Sequence, residues 1–328
     1  RLSSLGDIIH VYPMLNEIYL YFKSINQNCE IDWLVDESFA ELIKCNNLIN
    51  NIITVPLRKI KKNKLNFISE MFSWYKKIKF YHKDYDYIID VHGMLKSSIL
   101  TKFFNKNSNV YGYSIKNVKE KIACIFYNKH IKVNNTFIIN KNRELASKIF
   151  NYTVDYKKSN FGLINHYKNY NNINIKDPYI ICFCMASKDD KKYSFKNWLL
   201  LFEYLINKYN YKIIIPYGNQ NEYTEVVEFK KTNTNIIIPD NIYSYNQLHN
   251  LIIDAKFVFG VDTGLTHLAN ALDKKMIAIF TNTNPKDTGI FESTYAINIG
   301  NKNYYPNVNE VITLFEQIKI SHKFNLDK

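Results

Sequence analysis

Short β-branched and aromatic runs alternate with helix-periodic segments along almost the whole chain, and that alternation limits the possible folds more than any other feature. Runs at Ile31 to Val35, Ile52 to Val55 and Tyr87 to Asp90 form a first set. Tyr179 to Cys184, Lys212 to Pro216, Ile236 to Ile238, Phe257 to Val261 and Met276 to Phe280 form a second. Strands separated by helices pair in parallel, with helices covering both faces of the sheet. The predicted class is α/β, with two Rossmann-like domains facing each other across a cleft and ligands at the carboxyl ends of both sheets. Between the two sets, Tyr152 to Asp177 is rich in Asn, Lys and Tyr and weakly periodic, as an interdomain connection would be. The expected domains are residues 1–155 and 177–305, joined by 156–176 and followed by a last helix within 306–328. With 328 residues, 46% of them hydrophobic, each half is long enough to bury its own core.

No apolar run approaches the roughly 20 residues that a membrane-spanning helix needs. The opening Arg1-Leu2-Ser3-Ser4 has no signal-peptide pattern, and a cytoplasmic protein is expected. The chain opens directly on the loop Ser3-Ser4-Leu5-Gly6-Asp7, so a further strand is expected ahead of it. After Asp7 the apolar positions Ile8, Val11, Leu15, Ile18, Tyr19 and Phe22 recur at helical spacing, and Pro13 must either start that helix or bend it. Asp7 is thereby placed at a strand-to-helix turn. Cys29, Cys45, Cys124, Cys182 and Cys184 make an odd number without a C-x-x-C pair, which predicts neither a disulfide framework nor a zinc site. The 43 basic and 30 acidic residues give a net charge of +13, favouring anionic partners: nucleic acid, phosphorylated metabolites or an acidic membrane face. A nucleic-acid-binding protein would suit that charge and the 26 tyrosines. It would leave the paired Rossmann pattern unused, and no RNP, KH or helix-turn-helix signature is present; no nucleic-acid partner is expected.

The segment Phe257-Val-Phe-Gly-Val-Asp-Thr-Gly-Leu-Thr-His-Leu-Ala-Asn-Ala-Leu272 reads as a buried strand running straight into a helix, with Asp262 as its N-cap. Gly264 lets a ligand approach the first turn, whose N–H groups and positive dipole end favour a phosphate. Thr263 and His267, four residues apart, share a helix face. An ordinary capped core helix would also satisfy D-T-G; the histidine one turn in, at the carboxyl end of a strand, favours an anion site. Cys184 to Trp198 follows the first strand of the second set, and its lysines could neutralise a diphosphate, although a solvated loop would have the same composition. Glu222 follows the next strand, where an acidic residue can accept from ribose hydroxyls. In the first half, Arg58-Lys-Ile-Lys-Lys-Asn-Lys64 is the densest cationic cluster, either a solubilising loop or a clamp for an acidic acceptor. Asp90-Val-His-Gly-Met-Leu-Lys-Ser-Ser98 closes another strand, with Gly93 allowing close approach and Lys96 entering a helix. His92 alone would more often be structural.

Together these strings resemble glycosyltransferase family 9, the ADP-heptose:lipopolysaccharide heptosyltransferases, and most closely its type I members, with type II or another sugar transferase of that fold as the alternative. The resemblance rests on S-S-L-G-D at Ser3 to Asp7, the Asp90 to Ser98 string, D-D-K at Asp189 to Lys191 with Trp198, and V-D-T-G-L-T-H-L at Val261 to Leu268. It implies a GT-B fold whose last helix, about Val308 to Ile320, crosses back to the first domain, and an inverting transfer that uses neither metal nor cofactor. It also implies that Asp7 is the general base and that Lys191 stabilises the leaving diphosphate. Ala186, Ser187, Glu222, Tyr243, Asp262, Thr263, Gly264 and His267 would line the ADP-heptose site. Arg58, Lys59, Lys61, Lys62, His92, Lys96, Lys119 and Arg143 would meet a Kdo-lipid A acceptor, with peripheral contact to the anionic cytoplasmic face of the inner membrane. Three positions depart from the family strings. Ala186 stands for a usual threonine, Tyr193 for a tryptophan, and Thr281-Asn-Thr-Asn-Pro285 for G-P-T-D-P.

Overall fold

The computed structural model describes residues 1–57, 67–78, 84–104, 109–163 and 175–321. It divides into two compact units, Arg1–Gly162 and Leu163–Lys328; the division falls within the 156–176 stretch.

In the second unit six parallel strands form one sheet: β6 (Tyr179–Phe183), β7 (Lys212–Ile214), β8 (Ile236–Ile237), β9 (Phe257–Val261), β10 (Met276–Ile279) and β11 (Ala296–Ile299). Their spatial order is β11-β10-β9-β6-β7-β8, which is the doubly wound order with its topological switch between β6 and β9. Strands β6, β9 and β10 are buried along their whole length, as unbroken apolar runs in a parallel sheet must be. Helix Phe195–Tyr209 starts at Ser194, whose hydroxyl accepts from Asn197 N–H, and buries Trp198, Leu201, Phe202, Leu205 and Ile206 at helical spacing. The last helix, Val308–Ser321, forms close to its expected bounds. It buries Val311, Phe315 and Ile318 in the same core, so within the described residues its apolar face belongs to the second unit.

Among the described residues the first unit holds five strands in two parallel sheets. One pairs β1 (Ile31–Asp36) with β2 (Ile49–Val55); the other has the order β3-β4-β5, with β3 at Tyr87–Asp90, β4 at Asn109–Tyr113 and β5 at Lys129–Ile131. Sheet residues Trp33 and Leu34 of β1 and Ile88 and Ile89 of β3 line a cavity of about 690 Å³. The periodicity after Asp7 resolves into two helices, Leu5–Ile9 and Tyr12–Ser24. They are separate because Pro13, at the first turn of the second, has no N–H to continue the first.

Strands β4, β5 and β11 were not expected from the sequence pattern. β5 is three residues long with an exposed Lys129-His130 pair, β4 contains Gly112 beside polar positions, and β11 is a four-residue edge. β4 and β5 lack the apolar run that marks a strand locally, and in β11 the run is broken at Asn298.

Candidate functional site

In the second unit the loops leaving β6 and β9 meet at the topological switch. The helix after β9 begins at Gly264, with Thr263 as its N-cap in extended backbone. The N-cap is therefore one residue later than the expected Asp262, because the Asp262 carboxylate is engaged elsewhere. Asp262 Oδ2 accepts from Lys191 Nζ at 2.6 Å and from Thr283 Oγ1 at 2.8 Å, and Oδ1 lies 3.7 Å from His267 Nε2. Burial pushes the Asp262 carboxyl upward, but His267 and Lys191 outweigh it and hold the group well below the usual carboxylate range. The ion pair is mostly buried, with 9% of the Asp262 side chain and 23% of Lys191 exposed, which orders the lysine beside the helix end.

Close approach at β9 depends on a missing side chain. A Cβ on Gly260 would lie 2.2 Å from Thr266 Oγ1, and that hydroxyl donates to the Val261 carbonyl at 2.6 Å. The helix is thereby tucked onto the end of its own strand, with Asp262, the partner of Lys191 and neighbour of His267, just ahead of its first turn. An N-terminal helix end and a cation at a switch point are features that can hold a phosphate or diphosphate.

The other donor candidates sit around the same sheet edge with varied exposure. Ala186 is buried in the core and Ser187 is exposed. Lys192, the neighbour of Lys191, is taken by Glu225 at 2.6 Å and Asp189 at 2.8 Å. Glu222 Oε2 accepts from Gly218 N–H at 2.7 Å in the cap of helix Gln220–Lys230. Tyr243 is half-buried, just before the Ser244 cap of helix Tyr245–Asp254. Tyr193 stacks on Tyr305 at 5.4 Å and meets Trp198 edge-on at 5.5 Å, so that departure from the family string is a core contact.

In the first unit Asp7 is the third residue of helix Leu5–Ile9 and closes a capping box. Its Oδ2 accepts from Ser4 N–H at 3.2 Å and Ser4 Oγ at 3.1 Å, and Oδ1 pairs with the Arg1 guanidinium. Arg1 is itself fixed, its Nη1 donating to the Val91 carbonyl at 3.0 Å and its Nε to the Ser3 carbonyl at 3.1 Å. Burial raises the Asp7 carboxyl, yet Arg1, Lys119 and the Ser4 N–H together hold it well below the ordinary carboxylate range. The result is an ionised carboxylate held by a capping turn, and Arg1 is the contributor that no sequence signal disclosed.

Lys96 and Lys119 are exposed, and Lys119 is within electrostatic reach of Asp7, Arg1 and Lys96; partial desolvation and then Arg1 lower its pKa. The loop carrying Lys119 is brought in by Gly93, whose φ is +67° and whose Cβ would lie 3.2 Å from Val118 Cγ2; Gly93 O accepts from Glu120 N–H at 3.0 Å. Two other expected acceptor residues have structural positions. His92 is buried, its Nδ1 accepting from Leu2 N–H at 3.1 Å and its backbone N–H donating to Asp90 at 2.8 Å. Burial, then the Arg1 charge, keeps the imidazole neutral. Arg143 is also buried and gives its donors to Glu17 at 2.5 and 2.8 Å, Asn140 at 3.0 Å and the Asp155 carbonyl at 2.8 Å. That geometry makes Arg143 a cross-link between two helices. Arg58, Lys59, Lys61 and Lys62 lie outside the described residues.

Among the described residues no group of three or more His, Cys, Asp or Glu side chains is arranged to hold a metal ion, and no helix is long and apolar enough to cross a membrane.

Residues 74–316 match the family model "Glycosyltransferase family 9 (heptosyltransferase)". The chain is 25% identical over 288 residues to lipopolysaccharide heptosyltransferase 1 of Salmonella typhimurium, covering 87% of this chain and 88% of that one. It is 28% identical to the protein of the same name from Campylobacter coli, covering 100% and 91%. Among solved structures, the E. coli heptosyltransferase WaaC with ADP superposes with a TM-score of 0.84 at 23% identity, over 97% of this chain and 98% of that one. The strands, the switch-point site and the matched span agree: the chain belongs to glycosyltransferase family 9, the heptosyltransferases.

Proposed function

We propose that this glycosyltransferase moves heptose from ADP-heptose onto a Kdo hydroxyl of Kdo-lipid A, in one inverting displacement without a metal ion. The observation that carries the reading is the cation and helix end at the β6/β9 switch: Lys191 paired to Asp262 at 2.6 Å beside the Gly264–Ala271 helix. The relatives' names add the sugar class, and the structure with ADP is of a protein with the same fold.

The diphosphate of the donor binds at the first turn of that helix, near Thr263, Gly264 and His267, with Ala186, Ser187 and Tyr243 around the nucleotide and Glu222 on the ribose. Asp7 takes the proton of the acceptor hydroxyl as its oxygen attacks the anomeric carbon. The bond from that carbon to the diphosphate oxygen breaks on the opposite face, so configuration inverts. Lys191 and the helix end meet the charge that develops on the departing ADP, a fixed electrostatic stabilisation. Lys96 and Lys119, with Arg58, Lys59, Lys61 and Lys62, neutralise the acidic groups of the acceptor. The net charge of +13 suits peripheral contact with anionic lipid at the cytoplasmic face of the inner membrane.

The purified protein, incubated with ADP-heptose and Kdo-lipid A, is expected to release ADP and add one heptose with inverted anomeric configuration, at the same rate with and without chelator. Retained configuration, or activity lost to chelator and restored by a divalent ion, would overturn the mechanism.

A further inference from the structure

The turn that carries Lys191 buries no side chain of its own, and its nearest apolar anchor is Tyr193, two residues further on. Asp189–Lys191 is a single 3₁₀ turn without a buried residue, and Asp189 and Asp190 are exposed. Its internal hydrogen bonds, Lys191 N–H to Lys188 O at 3.2 Å and Lys192 N–H to Asp189 O at 3.0 Å, shape the turn but do not fix it in space. Beside the packing of Tyr193, polar tethers hold the turn itself. On one side Lys192 reaches Glu225 at 2.6 Å. On the other, the loop after β10 supplies three consecutive side chains. Thr281 Oγ1 donates to the Asp190 carbonyl at 2.7 Å, Asn282 Nδ2 to Asp190 Oδ2 at 2.7 Å, and Thr283 Oγ1 to Asp262 Oδ2 at 2.8 Å.

The first two of these residues stand where the family string has glycine and proline. Neither of those has a side-chain donor, so the two bonds to Asp190 belong to this chain's departure from the pattern. The third bond shares its acceptor oxygen with Lys191 Nζ.

We propose that Thr281 and Asn282 are positioning residues for Lys191. Together they form a clasp that holds the lysine turn against the end of β10, so that the ammonium stands over the diphosphate site before the donor arrives. The inference rests on the reading of Lys191 as the group that stabilises the leaving diphosphate. Holding the turn in advance removes the ordering of an exposed loop from the cost of reaching the transition state.

The test is a double-mutant cycle on kcat for transfer from ADP-heptose. Thr281→Ala/Asn282→Ala is expected to lower kcat about tenfold, the size of one to two ordinary hydrogen bonds, with little change in KM for the acceptor. Thr281→Ser, which keeps the hydroxyl, is expected to hold the wild-type rate. In a Lys191→Ala background the same pair of alanines is expected to have no further effect. Wild-type kcat in the alanine pair would overturn the clasp, as would an equal tenfold loss in both backgrounds, which marks a merely structural role. Should the pair shift the thermal midpoint by more than about 5 °C, Asn282→Ala alone carries the same comparison. Near-normal turnover by Lys191→Ala would remove the role of Lys191 and the clasp with it, an outcome distinct from a slow Lys191→Ala uncoupled from the clasp.

Discussion

At Asp7 two effects compete, and the sign of the winner can be checked. Desolvation would raise its pKa, whereas Arg1, Lys119 and the Ser4 N–H lower it, and the lowering wins. A carboxylate with a depressed folded pKa contributes stability that is fully present above its ordinary value near 3.8 and is lost as pH falls toward the folded value. Asp7 is accordingly ionised, and able to accept a proton, throughout the neutral pH range. The acidic limb of kcat assigned to Asp7 is expected below about pH 4; Arg1→Met is expected to move it upward, as a pH–rate profile would register, and an unmoved limb would remove Arg1 as its cause. Arg143 makes the opposite kind of prediction. Arg143→Ala breaks the pair with Glu17 and is expected to lower stability by about 3 kcal/mol, the lower end for a buried pair because Glu17 is partly exposed, as a denaturant titration would show, leaving KM for the acceptor close to wild type. The sequence made the D-T-G-L-T-H string visible but not what Asp262 does in it. Its carboxylate serves Lys191, 71 positions away in the chain, and a residue that distant leaves no local pattern. For the same reason the structural placement of Arg143 was not legible: Glu17 is on another helix, 126 positions distant.

The strands that carry the site were legible because they are buried on both faces. β6, β9 and β10 read as continuous apolar runs, and the loops at their carboxyl ends could be named in advance. Pairing order could not be read this way, since strand sequence says little about which parallel neighbour it will choose; the β6/β9 switch emerges only from the sheet. Short edge strands such as β5 and β11 escaped because edge burial does not demand apolar side chains. At this scale the close fit of β9 against its following helix is testable. Gly260→Ala places a Cβ 2.2 Å from Thr266 Oγ1, on a β-branched side chain with little room to turn. Overpacking of this kind costs about 1 to 3 kcal/mol, and because the helix end moves with it, ADP affinity is expected to fall as well. A thermal melt and a titration with ADP would check both.

Across the whole molecule the charge of +13 is compatible with several anionic partners, and only the site separates them. Saturating ADP, at about 100 times its Kd, is expected to stabilise the protein by about 2.7 kcal/mol, while an oligonucleotide at the same charge concentration leaves the melting midpoint unchanged. Stabilisation by the oligonucleotide alone would point away from sugar transfer. In the proposed mechanism the second unit recognises the donor and Asp7 of the first removes the proton, and these roles are separable in one variant. The most direct measurement is therefore Asp7→Asn beside the wild-type protein, with ADP binding followed by calorimetry and heptose transfer from ADP-heptose to Kdo-lipid A followed by product formation. Unchanged ADP affinity is expected in Asp7→Asn, with a transfer rate lower by about 10²- to 10⁴-fold, the usual contribution of a general base. Turnover close to wild type in Asp7→Asn, or no heptose transfer by the wild-type protein, would contradict that mechanism.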